Sequence, residues 1–195
     1  MTPPIHPNLM TALRLPLAPL AVAALIWGTV PGILLAAVLS LLLEVTDLAD
    51  GWIARRYGVV SDFGKLFDPF ADSFCRFTLF LGMYAIGRAD LWMILLLFYR
   101  DSTVSFLRGV AASQGIVVPA RASGKIKAVV QAVGTQLCYL ALVGEALLPD
   151  HAAWLHPIPW WSMLAITLFT SWTLLDYLWG NRPVLDTAWN DQRKR

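Results

Sequence analysis

Six apolar runs, each close to the length of a bilayer crossing, constrain this chain more than any other feature. They lie at about Leu9–Trp27, Pro31–Ile53, Leu66–Ile86, Leu91–Ala112, Ile126–Leu147 and Pro157–Leu178. A helix needs about 20 mostly apolar residues to cross the hydrocarbon. The breaks between the runs carry turn chemistry: "GTVPG", "YGVVSDFG", "GRAD", "SQGIVVPARASG" and "LLPDHAAWLHPIP". Composition agrees, with 57% hydrophobic and 14% charged residues, against roughly 45–50% and about 25% in soluble chains. The expected fold is an all-α membrane protein, a single domain over residues 1–195 built as a six-transmembrane-helix bundle.

Lys and Arg set the direction of the spans. Arg55, Arg56 and Lys65 lie between the second and third, and Arg108, Arg121, Lys125 and Lys127 lie about the join of the fourth and fifth. Arg182, Arg193, Lys194 and Arg195 follow the sixth, whereas the other joins hold only Arg88. Positive residues stay on the cytoplasmic side, so both termini are expected inside. Arg14 interrupts the first run, which argues against a cleaved signal peptide. Cys75 and Cys138 sit in apolar runs and read as packing, not as a disulfide framework or metal site. His6, His151 and His156 are scattered, which argues against a catalytic histidine. No basic stripe points to nucleic acid.

Against this background one stretch stands out, "TDLADGWIARRYGVVSDFGKLFDPFADSFCR", from Thr46 to Arg76. Asp47 and Asp50 are three apart and Asp68 and Asp72 four apart, so each pair shares a helix face. At about 1.5 Å per residue, Asp47 lies about 24 Å from the outer start of its span and Asp72 about 21 Å from the outer end of its own. A hairpin therefore brings both pairs to one level near the cytoplasmic rim. A carboxylate costs on the order of 2.5–3.5 kcal/mol at a helix centre, and clustered carboxylates repel. Protonation, arginine pairing or a multivalent cation relieves this. All-oxygen donors suit Mg²⁺ or Mn²⁺, and four Asp can hold two such ions with one carboxylate left to take a proton. Gly51 and Ala54 leave one side of the helix bare beside Asp50, and Gly64 does the same at the start of the third span. Arg55 is placed to meet phosphate oxygens.

The pattern Asp47-x2-Asp50-Gly51-x2-Ala54-Arg55-x8-Gly64-x3-Asp68-x3-Asp72 is similar, position for position, to the signature of the CDP-alcohol phosphotransferases. The resemblance implies six transmembrane helices, a cytoplasm-facing polar cavity, two divalent metal ions (Mg²⁺ or Mn²⁺) and displacement of CMP by an alcohol. It implies that Asp47, Asp50, Asp68 and Asp72 hold the metals, that Asp72 is also the general base, and that Gly51, Ala54, Arg55 and Gly64 line the CDP site. "NLMTALR", "SDFGKLFDPFAD", "YRDSTVSFLRG" and "SGKIKAVVQ" further resemble one bacterial branch, the phosphatidylglycerophosphate synthases. Ala128 departs from it, standing where Thr is usual, and so does "DSFCRF" after the last Asp. This branch implies CDP-diacylglycerol as donor, an integral protein of the bacterial inner membrane with a cytoplasmic active site, and allows a homodimer.

The acceptor can be approached from charge. Glycerol 3-phosphate is a small dianion, and Arg100, Arg108, Lys125 and Lys127 are the cations available to hold its phosphate. Arg100 and Arg108 are eight apart, about two turns, and share a face. Alternatives are inositol phosphate, serine, choline, ethanolamine or phosphatidylglycerol as acceptor. In a different class stands a divalent-cation transporter, against which the acids near one membrane face offer no relay to the other.

Overall fold

The computed structural model describes residues 7–57, 62–113, 115, 122–183 and 185–186, with only the backbone course at 7, 8, 50–55, 57, 62, 63, 65 and 66. The chain forms α1 (Pro7–Ile26), α2 (Val30–Tyr57), α3 (Asp62–Ala85), α4 (Leu91–Ser113), α5 (Ala122–Leu147), a short α6 (Ala152–Leu155) after a 3-10 turn, and α7 (Ile158–Gly180). No strand occurs among the described residues. The six long helices lie where the apolar runs place them. α2 extends four residues past its run, and α3 and α5 each begin four residues before theirs. Apolar length marks the lipid-embedded part, while these polar end turns continue the helix beyond it.

The sequence explains the ends. Gly28 takes φ +70° after α1, and Thr29 then caps α2, its Oγ1 accepting the Gly32 amide at 3.2 Å. α3 stops at Gly87, φ +72°. The Arg88 amide reaches back to the Met83 carbonyl at 2.8 Å and the Gly87 amide to Tyr84 at 2.9 Å, the paired bonds of a Schellman motif.

The helices form a ring. α1 packs against α2 and α3, α2 against α5, α5 against α7, α7 against α4, and α4 against α3. Although α2 and α3 are consecutive, they barely touch, because α1 lies between them. Small residues permit the close approaches. Ala18 and Ala21 of α1 are fully buried, and a methyl at Gly134 of α5 would sit 2.6 Å from Ile166 Cδ1 of α7.

Polarity runs inside out. Leu48, Val129, Leu140 and Leu175 are exposed, while Arg14, Arg76, Arg100, Lys127, Gln131 and Thr173 are buried. Such a surface is stable in lipid and not in water. Among the described residues, Leu9–Ile26, Val30–Ala49, Ala122–Leu147 and Pro149–Gly180 are long and apolar enough to cross a membrane. α3 and α4 match them in length, but Asp68, Asp72 and Arg76 on one and Arg100, Asp101 and Arg108 on the other lower their mean hydropathy. The protein is an all-α integral membrane protein.

Candidate functional site

Toward one end of the ring, ion pairs link α1 with α2, α2 with α3, and α4 with α5, and most charged residues of the long helices gather there. Asp47 is on α2, and Asp68 and Asp72 are on α3, all three partly buried. Because α1 separates the two acidic helices, the acids are joined through side chains of α1 and α3. Thr11 Oγ1 donates to Asp68 Oδ1 at 2.9 Å. Arg14 forms an ion pair with Asp47. Arg76 Nε donates to Asp72 Oδ1 at 2.8 Å, while its two terminal nitrogens reach Glu44 Oε1 at 3.2 Å and Oε2 at 3.4 Å. One guanidinium thus bridges α2 and α3. An arginine in this setting keeps its charge and presents a planar fork to carboxylates, which lets one side chain serve acids on two separate helices.

The other cations form a second network. Asp101 Oδ1 accepts from Arg100 Nη1 at 2.8 Å and from Lys127 Nζ at 2.7 Å, tying α4 to α5. Arg100 Nε also donates to Thr173 Oγ1 of α7 at 3.1 Å. Arg108, exposed, lies with its guanidinium carbon 5.7 Å from the ring centre of buried Tyr177. Arg100 and Arg108 do share a face, the one toward α7. Arg100 and Lys127 are brought together by Asp101, and Lys125 lies exposed two residues before Lys127.

Two cavities open between helices, and Arg76 lines both. One of about 460 Å³ lies between α2 and α5, with Glu44 and Asp47 at its polar edge and Leu48, Val133, Leu137 and Leu140 along its wall. The other, about 650 Å³, lies between α3 and α4 and is lined by Phe70, Phe74 and Phe98 together with Asp101, Ser105 and Arg108. Each is lined mainly by apolar side chains with a few charged ones among them, as suits a ligand with a greasy tail and a charged head.

Not every expected residue is brought into view. Asp50, Gly51, Ala54 and Arg55 lie on the last turns of α2, where only the backbone course is described, and Arg121, before α5, lies outside the described residues. Gly64 is described and buried near the start of α3. Among the described residues no three His, Cys, Asp or Glu converge as a ready ligand set. The donor chemistry nevertheless fits a hard divalent cation, since Asp47, Asp68 and Asp72 offer only oxygen and stay partly solvent-accessible. Sequence reasoning gave no role to Glu44, yet it is the second acid on Arg76. It also passed over α7, whose "TLFTSWT" puts Thr167, Thr170 and Thr173 at three-residue intervals, all buried. Buried hydroxyls repeating along one face of an apolar helix are the signal that could have found them.

Comparison with known proteins bears on the same residues. The family described as CDP-alcohol phosphatidyltransferase matches residues 4–172. A probable phosphatidylglycerophosphate synthase of Mycobacterium tuberculosis is 32% identical over 175 residues, 88% of this chain and 78% of that protein. A CDP-diacylglycerol–glycerol-3-phosphate 3-phosphatidyltransferase of Rickettsia felis is 32% identical over 152 residues, 73% of this chain and 84% of that one. Another of that description, from Bacillus subtilis, is 28% identical over 185 residues, covering 89% and 94%.

Proposed function

We propose, since the chain belongs to the CDP-alcohol phosphatidyltransferase family, that this membrane-embedded transferase moves the phosphatidyl group of CDP-diacylglycerol to sn-glycerol 3-phosphate, giving phosphatidylglycerol phosphate and CMP. The observation that carries the reading is the placement of Asp47 and Glu44 at the polar edge of an apolar-walled cavity, with Arg76 bridging Glu44 to Asp72. The relatives with matching printed activities cover most of this chain.

In this reading all six long helices cross the inner membrane, both termini and the acidic end facing the cytoplasm. The donor enters sideways from the inner leaflet, its acyl chains against Leu48, Val133 and Leu137 between α2 and α5. The bare face at Gly51 and Ala54 admits the cytidine diphosphate, and Arg55 meets its phosphates, with Gly64 opposite. Members of the family generally depend on a divalent metal. Asp47, Asp50, Asp68 and Asp72 would hold two such ions, Mg²⁺ or Mn²⁺, which when bound withdraw charge from the diphosphate. Arg100, Arg108, Lys125 and Lys127 hold the acceptor's phosphate, since a dianion is matched by several cations. Asp72 takes the proton of the acceptor hydroxyl as its oxygen bonds to the β-phosphorus. The bond from that phosphorus to the bridging oxygen breaks, and CMP leaves with the electron pair.

The test is a panel of acceptor alcohols offered with CDP-diacylglycerol to purified protein, scored by CMP release in Mg²⁺ or Mn²⁺. Glycerol 3-phosphate should turn over fastest by at least tenfold. A preference for inositol phosphate would keep the reaction and replace the acceptor. A preference for serine or another alcohol that carries no phosphate would remove the role given to the four cations.

A further inference from the structure

Two buried arginines stand on the acids that the proposed reaction assigns to metal, and the transfer step uses neither. Arg14 is 2% exposed and pairs with Asp47; Arg76 is 7% exposed and holds Asp72 at 2.8 Å. A guanidinium does not lose its proton inside a protein. Any divalent cation that reaches Asp47 or Asp72 therefore arrives beside a permanent positive charge. Glu44 alters this for one of the two, because it faces Arg76 through both oxygens, at 3.2 and 3.4 Å. Arg76 thus divides its charge between an acid proposed as a ligand and an acid that is not.

We propose that Arg14 and Arg76 are resident counter-ions against which metal loading is a competition, and that Glu44 sets the balance by drawing Arg76 away from Asp72. The inference rests on the reading that Asp47 and Asp72 bind metal. It makes a signed claim about two partners of one ion pair. Removing the charge of Arg76 leaves the acids more negative and favours a cation. Removing the charge of Glu44 leaves Arg76 wholly to Asp72 and disfavours one. A generic loss of packing would weaken binding in both cases, so the opposite signs separate a tuning role from a structural one.

The experiment uses the full chain, reconstituted in lipid nanodiscs, stripped with chelator and titrated with Mn²⁺ alone by electron paramagnetic resonance. Arg76→Met should bind Mn²⁺ roughly tenfold more tightly than the parent, and Glu44→Gln roughly tenfold more weakly. The double variant should resemble Arg76→Met, since Glu44 acts through the arginine. Arg14→Met should also tighten binding. In a thermal melt, Arg76→Met without Mn²⁺ should unfold below the parent, because Asp72 loses its partner, and Mn²⁺ should raise its midpoint by more than it raises the parent's. If Arg14→Met does not fold, the Arg76 and Glu44 variants decide alone. Equal or weaker binding in Arg76→Met, or a shift of the same sign in Glu44→Gln, overturns the inference while leaving the proposed reaction standing. A parent protein that takes up no Mn²⁺ overturns the metal reading, and this inference with it.

Discussion

Each end of the bundle holds an arginine against carboxylates, and the two are put to different use. At the end away from the acidic motif, Arg88 grips Glu145 with both contacts from one nitrogen, at 2.8 and 2.7 Å, and its other terminal nitrogen reaches the His156 carbonyl at 3.0 Å. Trp160 donates to Asp90 at 3.0 Å beside it. These bonds join the α3–α4 turn, the last turn of α5 and the lead into α7. Neither cavity borders them. At the acidic end, Arg76 bridges two acids on different helices and lines both cavities. The same pair of chemical groups fastens loops where it closes on itself, and offers chemistry where space is left beside it.

The comparison breaks most sharply at Asp72. Asp72→Asn should lower CMP release by about a thousandfold and leave the melting midpoint within a few degrees. Near-normal turnover would remove the distinction between the ends. Glu145→Ala should do the reverse. Arg88 would lose its carboxylate while only partly exposed, costing about 2 kcal/mol, or a factor of about 30 in the folded-to-unfolded ratio. Thermal denaturation should show the loss, and kcat of the folded fraction should stay within about twofold, because no contact of this cluster reaches a cavity. Lys127→Met sharpens the inner side of the comparison. It should raise KM for glycerol 3-phosphate about tenfold with little change in KM for CDP-diacylglycerol, if that cation meets the acceptor's phosphate. Thr173→Val removes one acceptor from Arg100 and should raise the same KM about threefold, measured by the same CMP assay.

The two ends also differ in how much of them could be read from sequence. The motif acids stood out in the sequence by their spacing, and the six helices followed from apolar length. α1 as a wedge did not follow. Adjacent helices in sequence are expected to pair, and nothing in "NLMTALR" says that Thr11 and Arg14 reach the acids of two other helices. Asp101 was legible as a partner of Arg100, its neighbour, but not of Lys127, which comes 26 residues later and from a different helix. The Arg88, Glu145 and His156 cluster was invisible because two of its members stand in separate joins and the third in the last turn of α5, each unremarkable alone. Sequence reports what recurs along one helix. Contacts between helices depend on rotation and tilt, which small residues such as Gly134 decide.

The wedge position of α1 carries a consequence for how the protein is made. Ribosomes deliver the chain from its amino end, so α1 is in the bilayer before α2 and α3 emerge with their carboxylates. Thr11 and Arg14 are then already waiting for Asp68 and Asp47, and the costliest groups to insert meet their partners on arrival. A rearranged gene that delivered this helix last would leave those acids to enter the membrane unescorted.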